Sequence, residues 1–170
     1  MIRNRLLLLC ALAIGTICPA AIFATEGADP SKENIVMMHA TGTFEVKTTP
    51  EAQSAAAAYP TARLALEKRF TGGLQGEAIG VMLSIGAPKP GEVAAYVAID
   101  QFTGTVDGKK GSFALTHRAT MTKGGKAVLE IQVVPDSGKG ELEGIAGAMT
   151  VDASKGVHHY DFAYSLPATP

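Results

Sequence analysis

Residues 96–121 read YVAIDQFTGTVDGKKGSFALTHRATM, and apolar and polar positions alternate along both halves. Alternation at period two marks a strand with one buried face. Asp107-Gly108 lies between the halves, a pair suited to the positive-φ positions of a tight hairpin turn. Pairing Val106 with Gly111 sets Phe102 across from Leu115, Ala98 across from Ala119 and Tyr96 across from Met121, all on one face. The same register puts Asp100 directly opposite His117 on that apolar face. The ribbon therefore predicts one carboxylate and one imidazole side by side among hydrophobic neighbours.

The pattern extends to both sides. Residues 38–47 alternate, with Ala40, Gly42, Phe44 and Val46 on one face, and Thr48-Thr49-Pro50 is expected to end that strand. Residues 51–59 contain four consecutive alanines, Ala55 to Ala58, and are balanced between a marginal helix and an ordered loop, with Pro60 closing them. Residues 62–71 form a second strand with Leu64, Leu66, Lys68 and Phe70 on one face. Lys68 is the odd member of that set, expected to snorkel out at the sheet end. Residues 74–85 form a third strand. Gly76 and Gly80 lie two pleats apart within it, as sharp bends or close packing require, and Ile79, Val81 and Leu83 make a second apolar set. GAPKPG, residues 86–91, is a turn.

After the hairpin of residues 93–105 and 111–122, residues 127–134 form another strand. A symmetric turn at Gly124-Gly125 would bring Glu130 and Gln132 beside His117. An odd-length loop instead brings Leu129, Ile131 and Val133 to the apolar face. Three buried aliphatic side chains at about 1.5–3 kcal/mol each decide for the odd loop, with a bulge. Residues 135–140 turn, the glycine-punctuated residues 141–151 form a strand, and residues 157–166 form the last one. On it His158, Tyr160, Phe162, Tyr164 and Leu166 share a face opposite to His159 and Asp161. Eight strands in sequence, joined mostly by short turns and with no long helix, predict an all-β, eight-stranded antiparallel up-and-down barrel. Closing the sheet removes its edges, and a lumen of this size holds side chains plus one small ligand.

Residues 1–24 change the picture of what folds. Arg3 and Arg5 precede an apolar run from Leu6 that ends in Ile22-Phe23-Ala24, the layout of a secretory signal peptide. The run is near the lower length limit for a membrane span, and Pro19 interrupts it. Residues 25–36 read as a flexible leader and residues 37–167 as a single barrel domain. Cleavage removes both cysteines, Cys10 and Cys18, so the mature chain has no disulfide and no thiolate site. A periplasmic or secreted location follows. The mature chain holds 13 basic and 16 acidic residues with no basic block. That argues against nucleic acid as a partner. Signal cleavage leaves no membrane anchor.

The segments HATGTFEV (39–46), YVAI (96–99), TGTVDG (103–108) with Gly111-Ser112-Phe113, Val134-Pro135, GKGELEGIAG (138–147) and YDFAYSLP (160–167) resemble a bacterial family known as domain of unknown function three-two-two-four. The resemblance covers nearly the whole mature chain. It implies an allene-oxide-cyclase-like barrel and no activity. The glycine-rich stretch is also similar to a segment of allene oxide cyclases and plant dirigent proteins, which speaks to fold more than function.

Candidate chemistry centres on Asp100 and His117. Opposed Cβ atoms lie about 4.5–5.5 Å apart, within reach of a carboxylate–imidazole contact that could serve as a general acid–base pair. The alternative is a buried polar pair that only specifies register. Tyr96, Phe102, His158, Tyr160 and Lys68 are the candidate ligand-binding residues if their faces line a lumen. For the rings, ordinary core packing is the competing reading. His158 and His159 point to opposite faces and cannot chelate one ion. Ser84 and Ser112 lack a nucleophile-elbow context. No metal or cofactor motif is present. Three functions are compatible: a binder of a small, partly apolar ligand, a cofactor-free isomerase or cyclase using Asp100 and His117, and a module that forms homo-oligomers through outer barrel faces. A lumen filled by side chains would remove the first two. An exposed apolar outer patch would favour the third.

Overall fold

The computed structural model describes residues 36–54, 60–86 and 92–168. The strands are β1 (Met38–Ser54), β2 (Thr61–Gly72), β3 (Leu74–Gly86), β4 (Ala94–Val106), β5 (Lys109–Met121), β6 (Ala127–Val133), β7 (Lys139–Gly140), β8 (Ala146–Asp152) and β9 (His158–Ser165). Eight of them close into an antiparallel ring in the order β1-β2-β3-β4-β5-β6-β8-β9. The β4–β5 ladder completes the circle. The two-residue β7 lies outside the ring and pairs with Gly111 and Ser112 of β5. The seam between β6 and β8 is thin, with one ladder pair, Gln132 and Ala148.

Side-chain alternation fills the lumen as the sequence predicts, and the filling is uneven. One half is packed by rings in continuous contact. Phe44 meets Phe70 at 5.1 Å between centroids, and Phe70 meets Phe102 edge-on at 5.6 Å. Phe102 then meets Phe113 at 5.1 Å, Phe113 stacks on Phe162 at 5.6 Å, and Phe162 stacks on Tyr164 at 5.3 Å. Each such pair adds about 0.5–1.5 kcal/mol beyond its burial. Leu142 and Ile145, both buried, cap this end. Two tyrosine hydroxyls tie the cap end together. Tyr160 Oη accepts from the Leu74 amide at 2.8 Å and donates to the Thr71 carbonyl at 3.1 Å. Tyr164 Oη donates to Asp107 Oδ2 at 2.8 Å.

Several elements differ from expectation. The β4–β5 turn is tighter than a Val106–Gly111 pairing implies. Val106 pairs with Lys109, leaving Asp107 (φ 46°) and Gly108 (φ 85°) as a two-residue loop in the left-handed conformations that a hairpin of this twist demands. His117 therefore faces Ala98, and Asp100 faces Leu115. The change moves every pair by two positions in sum, so both side chains stay on the inner face.

β1 does not stop at Pro50. β2 continues to Thr61 and offers partners, and the register slips between Pro50 and Ala52, a bulge that accommodates a residue with no amide proton. Glu51 to Ser54 are strand rather than helix. The balanced helix-or-loop reading of Ala55 to Ala58 lies outside the described residues, as do most of the expected GAPKPG turn, the expected signal peptide and nearly all of the expected leader. Residues 141–151 do not form one strand: residues 141–144 turn so that Leu142 and Ile145 can plug the barrel, and β8 begins at Ala146. The odd-length β5–β6 connection is observed, with Ala119, His117 and Leu115 opposite Leu129, Ile131 and Val133. The ladder is unbroken, so the odd count sits in residues 122–126 and no bulge is needed.

Candidate functional site

The other half of the lumen is hollow. A cavity of about 300 Å³ lies between the ring stack and the barrel mouth. Its wall is mostly apolar, formed by Phe44, Leu66, Phe70, Ala98, Leu115, Ile131 and Met149. The half-buried Met82, Tyr96, Met121 and Val151 stand nearer the mouth. Lys68, His117 and His158 share this wall, and Thr48 adds a hydroxyl.

Behind Lys68 and His117 lies Asp100, 0% exposed, with His117 at 7%. Its Oδ2 takes the Lys68 ammonium as an ion-pair partner and lies 2.8 Å from His117 Nε2. The imidazole approach is close but off the N–H axis, so Nε2 makes no aligned hydrogen bond, and Asp100 Oδ1 has no donor at all. Burial pushes the Asp100 carboxyl up, but the His117 ring and the Lys68 ammonium outweigh it and hold it below the usual carboxylate range. A buried carboxylate held this way stays ionised. Tyr96 is pushed the other way, first by burial and then by the charge of Asp100, and keeps its proton.

Local sequence explains how the three meet. Lys68 stands on the inner face of β2 with Leu66 and Phe70, as alternation requires. It does not snorkel out: its side chain is 8% exposed, with Nζ 5.5 Å from the centroid of Phe44. Between β2 and Asp100 lies Gly80, opposite Leu66 on one side and opposite Asp100 on the other. A Cβ at Gly80 would collide with Asp100 Oδ1 and the Ile99 carbonyl. The missing side chain is the space that the carboxylate occupies.

The candidate residues separate into two groups. Tyr96, Lys68, His117 and His158 line the cavity, and Asp100 backs it. His158 stacks on Phe44 at 4.8 Å. Phe102 and Tyr160 do not line it: Phe102 is sealed in the ring stack, and Tyr160 holds the cap end. His159 faces outward, as does Asp161, which bonds His39 Nδ1 at 2.7 Å. Among the described residues no three metal-ligating side chains converge. Sequence reasoning missed Gly80 as part of the site, although its place in an otherwise apolar strand was the available signal.

The outside of the barrel carries a second feature. Ile79, Val81, Leu83 and Ile85 of β3, with Val97 and Ile99 of β4, form an exposed aliphatic face. Val81 pairs with Ile99 and Leu83 with Val97, so the face is continuous. An open hollow of about 690 Å³ runs over its end toward Arg63 and Arg118.

Comparison with known proteins agrees with the barrel. Residues 40–164 match the family model described as "Protein of unknown function (DUF3224)". A crystal structure of a protein with unknown function from that family, from Shewanella oneidensis MR-1, is 42% identical. It covers 78% of this chain and 100% of its own, with a TM-score of 0.71. No curated protein matches the chain.

Proposed function

The chain belongs to the DUF3224 family of proteins of unknown function, and we propose that it binds a small, partly apolar ligand in the barrel lumen. The observation that carries this is a half-empty barrel: a cavity of about 300 Å³, mostly apolar, with Lys68 and His117 reaching its wall from a buried carboxylate. Nothing in folding requires a charged cluster there. Buried ionic groups cost stability relative to apolar packing, and a hydrophobic trio would fill the space more cheaply. A cavity that is apolar with a few convergent polar groups supports this reading, because small ligands bind preferentially in such places. The basic start and apolar run of residues 1–24 support an exported setting for this binder.

The test is native mass spectrometry of the purified protein for a co-purifying small molecule, beside the variant Met82→Trp. Met82 stands half-buried on the cavity wall, where an indole would occupy the space. A molecule carried by the parent and lost from the plugged variant supports the reading. Equal retention by both would end it. A cofactor-free isomerase or cyclase remains the enzyme alternative, favoured by an imidazole on the cavity wall paired with an ionised carboxylate. In that case His117→Ala would abolish turnover of the bound molecule rather than only its retention.

The β3–β4 outer face favours a further role, association with a second copy of this chain. These side chains stand on the outer face of the sheet and not along a strand edge, so contact through them is face to face. The charges flanking the face are of both signs and paired within the chain, Arg69 with Glu77 and Arg118 with Glu130. The face therefore brings no excess charge to repel its own copy. Sedimentation should show a dimer dispersed by Leu83→Lys. A parent that is monomeric at high concentration would remove this role.

A further inference from the structure

Resting on the lumen-binding reading, we infer that the ligand is a compact amphiphile with a carboxylate head and an unbranched apolar tail, held head-inward by Lys68 and His117. The cluster of Lys68, His117 and Tyr96 presents more donors than acceptors to the cavity. Lys68 has three N–H groups, and Asp100 engages one face of the ammonium. His117 shares this wall and turns Nε2 to Asp100 Oδ2, 2.8 Å away, which leaves Nδ1 as the ring nitrogen that can meet a ligand. Tyr96, on the same wall, keeps its hydroxyl proton. The acceptor capacity of the cluster is turned away from the cavity. Asp100 is absent from the lining, Oδ2 lies behind the two nitrogens, and Oδ1 is tucked over Gly80.

What fits such a wall is the head group with the most acceptor capacity. A carboxylate accepts several charge-assisted hydrogen bonds at once, from a lysine, an imidazole and a phenol. A cationic head would meet the Lys68 ammonium and a second imidazole, His158, before it met any carboxylate. A neutral alcohol would satisfy one donor and leave the rest. Thr48 apart, the remainder of the wall is apolar, with Phe44, Leu66, Leu115, Ile131 and Met149, and offers little to a polar tail. At about 30 Å³ per water-sized group, 300 Å³ holds about ten such groups, the non-hydrogen count of an eight-carbon acid.

Calorimetric titration with octanoate, octanol and octylamine tests this on the full barrel. Octanoate is expected to bind at least tenfold more tightly than octanol, and octylamine not at all. The charge-neutral double variant K68M/D100N is expected to lose that preference while still binding octanol, which also shows that its lumen is intact. His117→Gln, which keeps a donor but cannot carry charge, is expected to reduce the preference for octanoate over octanol. Octanol binding as well as octanoate, with the double variant changing neither, would overturn the head-group inference and leave the lumen reading standing. No binding of any of the three would overturn this inference, and the mass-spectrometric comparison with Met82→Trp then decides separately whether the lumen binds anything.

Discussion

His117 Nε2 lies 2.8 Å from Asp100 Oδ2, although the β4–β5 ladder sets Ala98, not Asp100, opposite His117. Diagonal neighbours have Cα atoms about 7–8 Å apart, so the two side chains must lean along their strands to touch. Lys68 reaches the same oxygen from β2. Three strands thus converge on one carboxylate, and the convergence has an energetic signature. Asp100→Ala strands a lysine in the lumen and should cost about 3–5 kcal/mol. The double variant Lys68→Met with Asp100→Leu removes both charges and should recover most of that loss. Urea denaturation of Lys68→Met, Asp100→Leu and the double measures the coupling. A cost for Asp100→Ala near the ±0.5 kcal/mol of a surface change would mean that the cluster is not coupled.

The same cluster sets a limit in acid. The folded-state pKa of Asp100 lies below its ordinary value of 3.8, held there by His117 and Lys68 against the effect of burial. A depressed carboxylate contributes stability that is complete above the ordinary pKa and is lost as pH falls through the folded value. Tyr96, which also faces the carboxylate, stays neutral. Stability measured from pH 5 downward should fall more steeply in the parent than in Asp100→Asn, whose amide does not titrate. Parallel curves would show that Asp100 takes no part in acid unfolding.

Much of this site was legible from alternation because parity survives a modest error in register. Moving the β4–β5 pairing from Val106–Gly111 to Val106–Lys109 changes which residues are opposed, but not which face they share. Asp100 and His117 therefore stay together inside. Lys68 was on the correct face too. Its fate was not legible, because a strand pattern does not say whether a long side chain meets a buried counter-charge. The partner lies two strands away, and only the ring's closure and the empty place at Gly80 bring them together. The rings divided for a similar reason. Alternation put Tyr96, Phe102, His158 and Tyr160 on inner faces but could not show how far along the axis each one stood. That height separates the packed half from the hollow one. Pro50 misled as a strand terminator because β1 tolerates it at a bulge, a long-range property of its pairing with β2.

Gly80 offers a test that leaves the charged residues in place. Alanine there would press on Asp100 Oδ1 and on the Ile99 carbonyl, and a backbone oxygen between two paired strands has little room to give. Gly80→Ala should destabilise by about 1–3 kcal/mol, as overpacking does. The cost should shrink in an Asp100→Ala background, where one of the two obstacles is gone. Thermal unfolding of the four combinations checks this. Additive effects would place the strain on Ile99 alone and deny Gly80 a role in housing the carboxylate.

At the capped end the sign of the pH dependence reverses. Tyr164 is buried and donates to Asp107, and burial, that hydrogen bond and the negative charge of Asp107 push its pKa up to about 12 from an ordinary 10. A group with a raised folded pKa contributes stability that is complete below the unfolded value and is lost as pH rises through the folded one. The barrel should therefore weaken between pH 10 and about 12. Tyr164→Phe should remove part of that slope. It should also cost about 1–2 kcal/mol near neutrality, toward the low end for a hydrogen bond to a charged group, because Asp107 is exposed and water replaces the lost donor. Tyr160 and Tyr96 also have raised pKa values, so some alkaline slope should persist in the variant. Chemical denaturation at neutral and alkaline pH, parent against Tyr164→Phe, gives the difference directly. An unchanged alkaline slope in the variant would mean that the contact joining β9 to the β4–β5 turn does not hold this end of the barrel shut.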